Sequence, residues 1–484
     1  MKKTISGVLL ALTAVFALVA CGKKDKKTTT KKTGGDTTPA KKTGTINWYC
    51  WNEEIKDRLN NLYDQVEKSS GNETTLKDGI KIKWIQSPNQ SSVFQNNLDT
   101  ALTNGVVDMF CFEADYATKY VKSDYVADMT ELGIDQKDQY QYTKDIVTNA
   151  AGKLVGSSWQ GTPGIICYNK AVAEAIWSGA TAEQVQAKIS TDFDTFKTSA
   201  AEAKAKGKTI MIGVDDWFRT YSNNMAAKCW DGTNITVDKQ LFQWAKDTKE
   251  FADAGYIEGL TAGYGLWGAD WGTAQGKDNS LCIFSCPWFT DFCLKGYRHD
   301  AADDPDKLAI KDMKDSGLRA AAGYKSWFWG GTWLTATKDG VANANIKDDI
   351  KDIIAKMTTD ADVLYNLAVT YGDFTNSKTA MAKLSTAEAG NLTYFGGENV
   401  YKFYAAAVEK ADLSKASDYD QQICENLQNC FRSYFLANDA TGHTTAEAAW
   451  TKFVSDLSEA TSVKTANIKL DAKVTISGDT ITIA

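Results

Sequence analysis

Apolar and polar positions alternate along the first third of this chain in blocks that are typical of strands and helices in turn. Residues 79–85 read Gly-Ile-Lys-Ile-Lys-Trp-Ile, which has the two-residue period of a half-buried strand. Residues 91–103 place apolar side chains at helical spacing and end before an Asn-Gly pair, a helix stop signal. Apolar runs predict strands at 45–51 and 106–112, and an amphipathic pattern predicts a helix over 53–69. This order of elements predicts βαβ units and a parallel sheet.

A second α/β unit is predicted to begin after residue 155. Residues 165–170 form another apolar run, helical patterns follow to about residue 206, and residues 209–214 predict a further strand. The 441 residues after position 43 are too many for one hydrophobic core and fit two domains.

The N-terminus has the parts of a secretory signal peptide. Met1-Lys2-Lys3 supplies a positive start, and an apolar segment from residue 5 to residue 20 follows it. The segment then ends in Leu-Val-Ala followed by Cys21, which resembles the lipobox of bacterial lipoproteins. We therefore expect residues 1–20 to be removed, Cys21 to carry lipid, and the rest of the chain to lie on the outer face of the cell membrane.

Charge divides the chain just after this segment. Residues 21–43 are rich in Lys and Thr and contain no large apolar side chain, so they predict a flexible tether. The first 43 residues carry a net charge of +8, so the overall −7 leaves −15 for residues 44–484. An acidic body argues against nucleic acid as a partner, whereas a basic tether suits an anionic lipid surface.

Residue types with binding or catalytic chemistry are unevenly represented. Fifteen tryptophans, several of them beside Gly, Asn or Asp, suggest flat apolar faces for a ligand. Only His299 and His443 are present, which argues against a His-based catalytic triad or a multi-His zinc site. Residues 263–268 match a dinucleotide fingerprint in letters but open no apolar helix, which argues against a dinucleotide. We therefore predict no cofactor and no metal. Setting Cys21 aside leaves nine cysteines, an odd number that cannot all pair internally.

Five stretches in order resemble the extracellular solute-binding proteins of ABC sugar importers, in particular the maltose-binding type. They are residues 108–115 (DMFCFEAD); 152–155 (GKLV) followed by 167–170 (CYNK); 204–208 (KAKGK) before 213–217 (GVDDW); 281–288 (LCIFSCPW); and 329–334 (WGGTWL). Each stretch is weak alone, but all five lie in the right order within residues 44–360, behind a lipobox-like signal.

This resemblance implies a two-lobed, type II periplasmic-binding-protein-like α/β fold with a hinge and a central ligand cleft. The first lobe would comprise residues 44–155 plus 328–390, and the second 156–327 plus 391–461. Residues 462–484 alternate around Gly478-Asp479 and predict a β-hairpin tail with no general counterpart in the family. The cleft would lie where strand ends of both lobes converge.

A sugar cleft needs aromatic faces for C–H stacking and carboxylates or amides for hydroxyls. Trp288 matches the family's stacking Trp best, and the other candidates lie at strand ends or near the crossovers between the lobes. The predicted ligand-binding residues are Trp51, Glu53, Glu113, Asp115, Trp159, Gln160, Asp216, Trp217, Trp288 and Trp329. Two simpler alternatives stay open, namely a core role for Trp288 and a helix-capping role for Asp115.

The resemblance implies a monomeric, non-enzymatic binding subunit. It would capture a carbohydrate, in particular an oligosaccharide, and present it to the permease of an ABC importer by hinge closure. Two alternatives remain: a binding protein for a non-sugar solute such as a polyamine or peptide, and a secreted glycan-active enzyme, for which two carboxylates suffice.

Overall fold

A computed structural model describes residues 41–484. The predicted signal peptide, the predicted lipid-bearing Cys21 and all of the predicted tether except residues 41–43 lie outside the described residues. Within residues 41–484, no helix is both long and apolar enough to cross a membrane.

The described residues form a mixed α/β structure, which confirms the predicted fold class. The strands are β1 (Thr45–Cys50), β2 (Val66–Ser70), β3 (Glu73–Leu76), β4 (Lys81–Gln86), β5 (Met109–Glu113), β6 (Ser157–Ser158), β7 (Ile165–Asn169), β8 (Ile235–Val237), β9 (Cys282–Ser285), β10 (Leu318–Ala321), β11 (Thr332–Ala336), β12 (Asn391–Leu392), β13 (Glu398–Asn399), β14 (Ile468–Leu470), β15 (Val474–Ser477) and β16 (Thr480–Ile483). The α-helices are α1 (Glu54–Leu62), α2 (Val93–Thr103), α3 (Ala117–Val121), α4 (Gln141–Asp145), α5 (Lys170–Ile176), α6 (Ala182–Ile189), α7 (Phe193–Ala205), α8 (Arg219–Ser222), α9 (Lys239–Asp253), α10 (Ala269–Gln275), α11 (Lys338–Ala342), α12 (Lys347–Thr359), α13 (Ala361–Tyr371), α14 (Lys378–Thr386), α15 (Tyr401–Val408), α16 (Asp420–Phe431) and α17 (Ala446–Thr461).

The larger sheet has seven strands in the order β2-β3-β4-β1-β5-β11-β6. Its centre is parallel, as predicted, because β1 pairs in parallel with both β4 and β5. Its two edges are antiparallel: β11 runs against β5, and β2 to β4 form a meander. The predicted helix over 53–69 is wrong in its second half, since α1 ends at Leu62 and β2 begins at Val66.

The smaller sheet has three antiparallel strands in the order β10-β7-β9. The strand predicted at residues 209–214 forms only two isolated parallel bridges, Thr209 with Ser280 and Met211 with Ile257. Around this sheet a core of Trp217, Trp244 and other aromatic side chains packs against α7, α9 and α16.

Two extended segments connect the sheets side by side. The N–H of Gly164 donates to the carbonyl of Trp327 at 2.7 Å, and the N–H of Trp329 donates to the carbonyl of Thr162 at 3.0 Å. A Cβ at Gly164 would lie only 2.0 Å from the Trp327 ring, so the two segments approach this closely only because residue 164 is glycine. A paired double crossing of this kind is suited to a hinge.

The C-terminal residues pack onto the side of the smaller sheet. Strand β14 pairs in parallel with β8, and β15 and β16 form a hairpin joined at Gly478. Val474 and Ile481 of the hairpin are buried in the same core as Trp244. The hairpin thus covers apolar surface of α9 and α17.

Candidate ligand-binding cleft

A cavity of about 600 Å³ lies between the two sheets. The larger sheet contributes residues that follow β1 and β5 and the start of β11, which meet at one edge because Thr332 pairs with Glu113. The side of the smaller sheet contributes Trp288, the 262–268 loop and one face of α16. This volume and this position at strand ends are typical of ligand pockets in α/β proteins.

Trp288 lies at the centre of an aromatic group on the side of the smaller sheet. Its ring stacks on Trp267 with a centroid distance of 5.7 Å and an interplanar angle of 12°. The Trp288 ring also lies edge-on to the Trp329 ring, with a centroid distance of 5.4 Å. The Trp288 indole N–H donates to the Trp329 carbonyl at 2.9 Å. Trp267 is 60% exposed, so the group presents an aromatic face to solvent at the cleft.

Trp51 supplies an aromatic side chain from the opposite lobe. It follows β1 and packs edge-on against Phe94 and Tyr116, with centroid distances of 5.4 and 6.5 Å. These two buried rings fix the orientation of the Trp51 indole, which stays partly exposed toward the cavity. Aromatic surface is therefore available from both lobes.

Glu113 lies at the end of β5 and accepts a hydrogen bond from the Asn89 amide at 2.7 Å. Burial and the neighbouring Asp115 carboxylate raise the pKa of Glu113 above its ordinary value. Glu54, which begins α1, is also buried, and it accepts a hydrogen bond from the Gln160 amide at 2.8 Å. Burial likewise raises the pKa of Glu54.

Both arginines that line the cavity are already paired with carboxylates. Arg219 donates from its two terminal nitrogens to the two oxygens of Asp115, at 2.9 and 2.5 Å. Arg432 pairs with Asp215. Asp115 thus lines the cleft, but both of its oxygens accept hydrogen bonds from Arg219.

Helix α16 provides a polar face that was not predicted from the sequence. Its cavity-lining side chains recur at helical spacing: Gln421, Glu425, Gln428 and Asn429. The opposite face carries Ile423, Leu427 and Phe431, which are buried in the core. The pattern was visible as an amphipathic helix, but periodicity alone does not distinguish a ligand-facing polar side from one that faces water.

Four predicted site residues do not line the cavity, and these predictions are corrected. Glu53 is exposed and pairs with Lys56. Trp159 is fully buried among the side chains that pack on the larger sheet. An indole without exposed surface contacts no ligand unless the core opens.

The Asp-Asp-Trp stretch is structural at two of its three positions. Asp216 accepts hydrogen bonds from the N–H groups of Ile212 and Gly213 at 3.0 and 3.1 Å and from the Trp271 indole at 2.8 Å. Trp217 is fully buried, and its indole N–H donates to Thr248 at 2.9 Å. Of the three, Asp215 lines the cleft. The remaining predicted residues, Trp51, Glu113, Asp115, Gln160, Trp288 and Trp329, are brought together at the cavity.

Comparison with known proteins agrees with this architecture. The model of the bacterial extracellular solute-binding protein family matches residues 74–280. No curated protein matches the chain significantly.

Solved structures with the same fold cover most of the chain. An extracellular solute-binding protein of family 1 superposes with a TM-score of 0.64 at 15% identity, covering 86% of this chain and all of its own. The ABC-transporter-associated binding protein from B. animalis subsp. lactis, in complex with β-1,6-galactobiose, gives 0.59 at 14% identity, covering 88% of this chain and 99% of its own. Maltose-bound MalE3 of T. maritima gives 0.59 at 12% identity, covering 86% of this chain and all of its own.

The fold and the cleft are thus those of two-lobed solute-binding proteins. Residues 74–280 match the extracellular solute-binding protein family, and the fold is that of maltose-binding-protein-like structures, in agreement with the resemblance found in the sequence. This family and these structural neighbours are binding proteins of the kind that serves ABC transporters, and they are not enzymes.

Proposed function

We propose that this protein is the substrate-binding subunit of an ABC importer and that it captures a carbohydrate, in particular an oligosaccharide, outside the cell. The ligand would lie in the cleft between the lobes, and closure around it would create the form that a membrane permease recognises. The lipid expected on Cys21 would hold the protein beside that permease and raise its effective concentration there.

The aromatic group around Trp288 is the observation that carries this proposal. Trp267 and Trp288 from one side, Trp51 from the other side and Trp329 from a crossing segment present indole surface to one cavity. Carboxylates and amides border the same cavity, among them Glu54, Glu113 and Gln428. Flat apolar faces interleaved with hydrogen-bonding groups complement sugar rings, which carry apolar C–H faces and a rim of hydroxyls.

A titration of residues 41–484 with saccharides tests the proposal. Intrinsic tryptophan fluorescence and calorimetry would be recorded against mono-, di- and oligosaccharides of several linkages. We expect at least one oligosaccharide to bind with a fluorescence change, since Trp267 and Trp288 are partly exposed at the cleft. Binding of none of them, or release of shortened products during long incubation, would contradict the proposal.

The Trp288→Ala variant assigns the binding to the cleft. Removing the ring deletes both its own stacking surface and the support for Trp267, so we expect affinity to fall by roughly 30-fold or more, as for other buried aromatic anchors. The matched control is Trp177→Ala. Trp177 does not line the cavity: it lies at the end of α5, where its indole donates a hydrogen bond to Glu202. Equal affinity of wild type and Trp288→Ala would remove Trp288 from the site.

A cationic solute such as a polyamine is the second candidate. Among the described residues, Glu113 and Glu425 line the cavity with no Lys, Arg or His within salt-bridge distance. Ammonium groups would find carboxylates and indole faces together there. Including spermidine in the same titration separates the two candidates, since saccharide binding that spermidine does not displace favours the sugar.

A further inference from the structure

Asp115 and Arg219 connect the two lobes directly through the interior of the cleft. Asp115 follows β5 of the larger sheet. Arg219 is the first residue of α8, and the nearby Phe218 and Tyr221 are buried in the core around the smaller sheet. The contact is bidentate, at 2.9 and 2.5 Å, and the two side chains are only 10% and 13% exposed. A planar guanidinium that faces both oxygens of a carboxylate has the most favourable geometry for such a pair.

Arg219 interacts with more carboxyl groups than the one of Asp115. The carboxyl groups of Glu113, Asp420 and Glu425 are close enough to the guanidinium for it to favour their charged forms. Glu113 comes from one lobe, and Asp420 and Glu425 come from α16 on the other side. Without the guanidinium, Asp115 would lose its counter-charge beside these carboxyl groups, which come from both lobes.

Arg219 also contacts the aromatic group of the cleft. Its guanidinium carbon lies 4.9 Å from the centre of the Trp329 ring, and the Trp329 carbonyl in turn accepts the indole N–H of Trp288. A continuous set of contacts therefore runs from Asp115 through Arg219 and Trp329 to Trp288. Pairing of the lobes and placement of the stacking surface are linked in this way.

A second contact joins the lobes at another point of their boundary. Arg58 of α1 donates to Asp291, which follows Trp288 by three residues, at 3.1 Å and to Asp373 at 3.3 Å. Its guanidinium also lies 3.9 Å from the centre of the Tyr371 ring. Arg58 is anchored on its own side by these neighbours, whereas Arg219 has no such carboxylate partner within its lobe among the described ion pairs.

We propose that Asp115 and Arg219 are a closure pair, meaning positioning residues that stabilise the joined arrangement of the lobes and orient Trp329, and that Asp115 is not a ligand contact. The inference rests on the proposed function only in that closure accompanies binding. Because the pair consists of protein groups alone, its contribution to closure is the same for a saccharide, a polyamine or no ligand.

The test compares variants of the full chain in the absence of any ligand. Asp115→Asn keeps the shape but removes the charge, and Arg219→Gln leaves the carboxylates of both lobes uncompensated. The matched control is Asp315→Asn, because Asp315 forms an equally bidentate pair with Arg319, at 2.8 and 2.8 Å, near the smaller sheet alone. Small-angle scattering reports the radius of gyration, and far-ultraviolet circular dichroism verifies that each variant is folded.

We expect Asp115→Asn to have a larger radius of gyration than wild type, Arg219→Gln to have a larger one still, and Asp315→Asn to match wild type. An unchanged radius of gyration for folded Asp115→Asn would overturn the proposal, whatever the protein binds. If Arg219→Gln fails to fold, Asp115→Asn alone decides.

Affinity gives a second, independent readout once a binding saccharide is known. We expect loss of the closure pair to weaken binding by about tenfold. More molecules are then open, and part of the free energy of the ligand contacts is used to close them. The aromatic surface remains, so a fluorescence change at saturation should persist in Asp115→Asn. Complete loss of binding with an unchanged radius of gyration would identify Asp115 as a ligand contact and would reject the inference.

Discussion

Glu113 is the clearest case of a side chain whose chemistry comes from its surroundings. The sequence places it at the end of an apolar strand, and the structure adds burial, an Asn89 donor and the Asp115 carboxylate. Its raised pKa means that the folded protein binds a proton at Glu113 at pH values where the unfolded chain has released it. Stability from this group is therefore complete below the ordinary glutamate pKa and is lost as pH rises through the raised value.

Glu113→Gln removes this pH dependence. We expect the free energy of unfolding of the variant to exceed that of wild type by on the order of 1 kcal/mol at pH 8.5 and to equal it near pH 4. Chemical denaturation at the two pH values measures the difference. Glu53→Gln is the control, because Lys56 lowers the pKa of Glu53 and its replacement brings no gain at high pH. A Glu113→Gln variant that is less stable at pH 8.5 than at pH 4, relative to wild type, would contradict the account.

The tryptophans show what single residues reveal in sequence and what they do not. Trp51 and Trp288 line the cavity and follow strand ends, where the strands of an α/β sheet present their loops to a ligand, and Trp329 lines it from a crossing segment. Trp217 also follows an apolar run, yet it turns inward to Thr248 and the ring of Phe251. The direction of a side chain after a strand depends on packing partners that are distant in sequence, so the pattern alone did not decide it.

At the level of elements, periodicity predicted the parallel centre of the larger sheet and missed its edges. Val66 to Ser70 continue an amphipathic pattern from α1 without an intervening Gly or Pro, but they pair with β3 as an antiparallel strand. Pairing with a neighbouring strand overrides the local pattern here. Helix α16 was missed as part of the site for a related reason, since its polar stripe acquires a role only when the cleft is assembled.

The paired crossing segments depend on one small residue. Gly164→Ala places a methyl group 2.0 Å from the Trp327 ring and so separates the two segments or displaces the indole. We expect a loss of about 1–3 kcal/mol in the free energy of unfolding, as for other overpacked sites. Gly296→Ala is the matched control, because no atom lies within 4 Å of the position that its added methyl group would take and its φ is not positive. Equal stability of the two variants would mean that the crossing segments tolerate separation.

At the scale of the whole molecule, the architecture explains why the cleft has both aromatic and acidic character. The larger sheet delivers Trp51, Glu54 and Glu113 at its carboxyl edge, and the opposite side delivers Trp288 and the polar face of α16. Neither side forms the cavity alone. The ion pair that joins the lobes was not foreseen, since it brings together residues 104 positions apart.

A crystal structure of the protein with the saccharide that binds most tightly tests the central claim most directly. The account predicts one sugar ring stacked on the Trp288–Trp267 group, hydroxyls within hydrogen-bond distance of Glu113 or α16, and the Asp115–Arg219 pair intact beside them. A saccharide bound outside the cleft, or bound within it without contact to Trp288, would contradict the account.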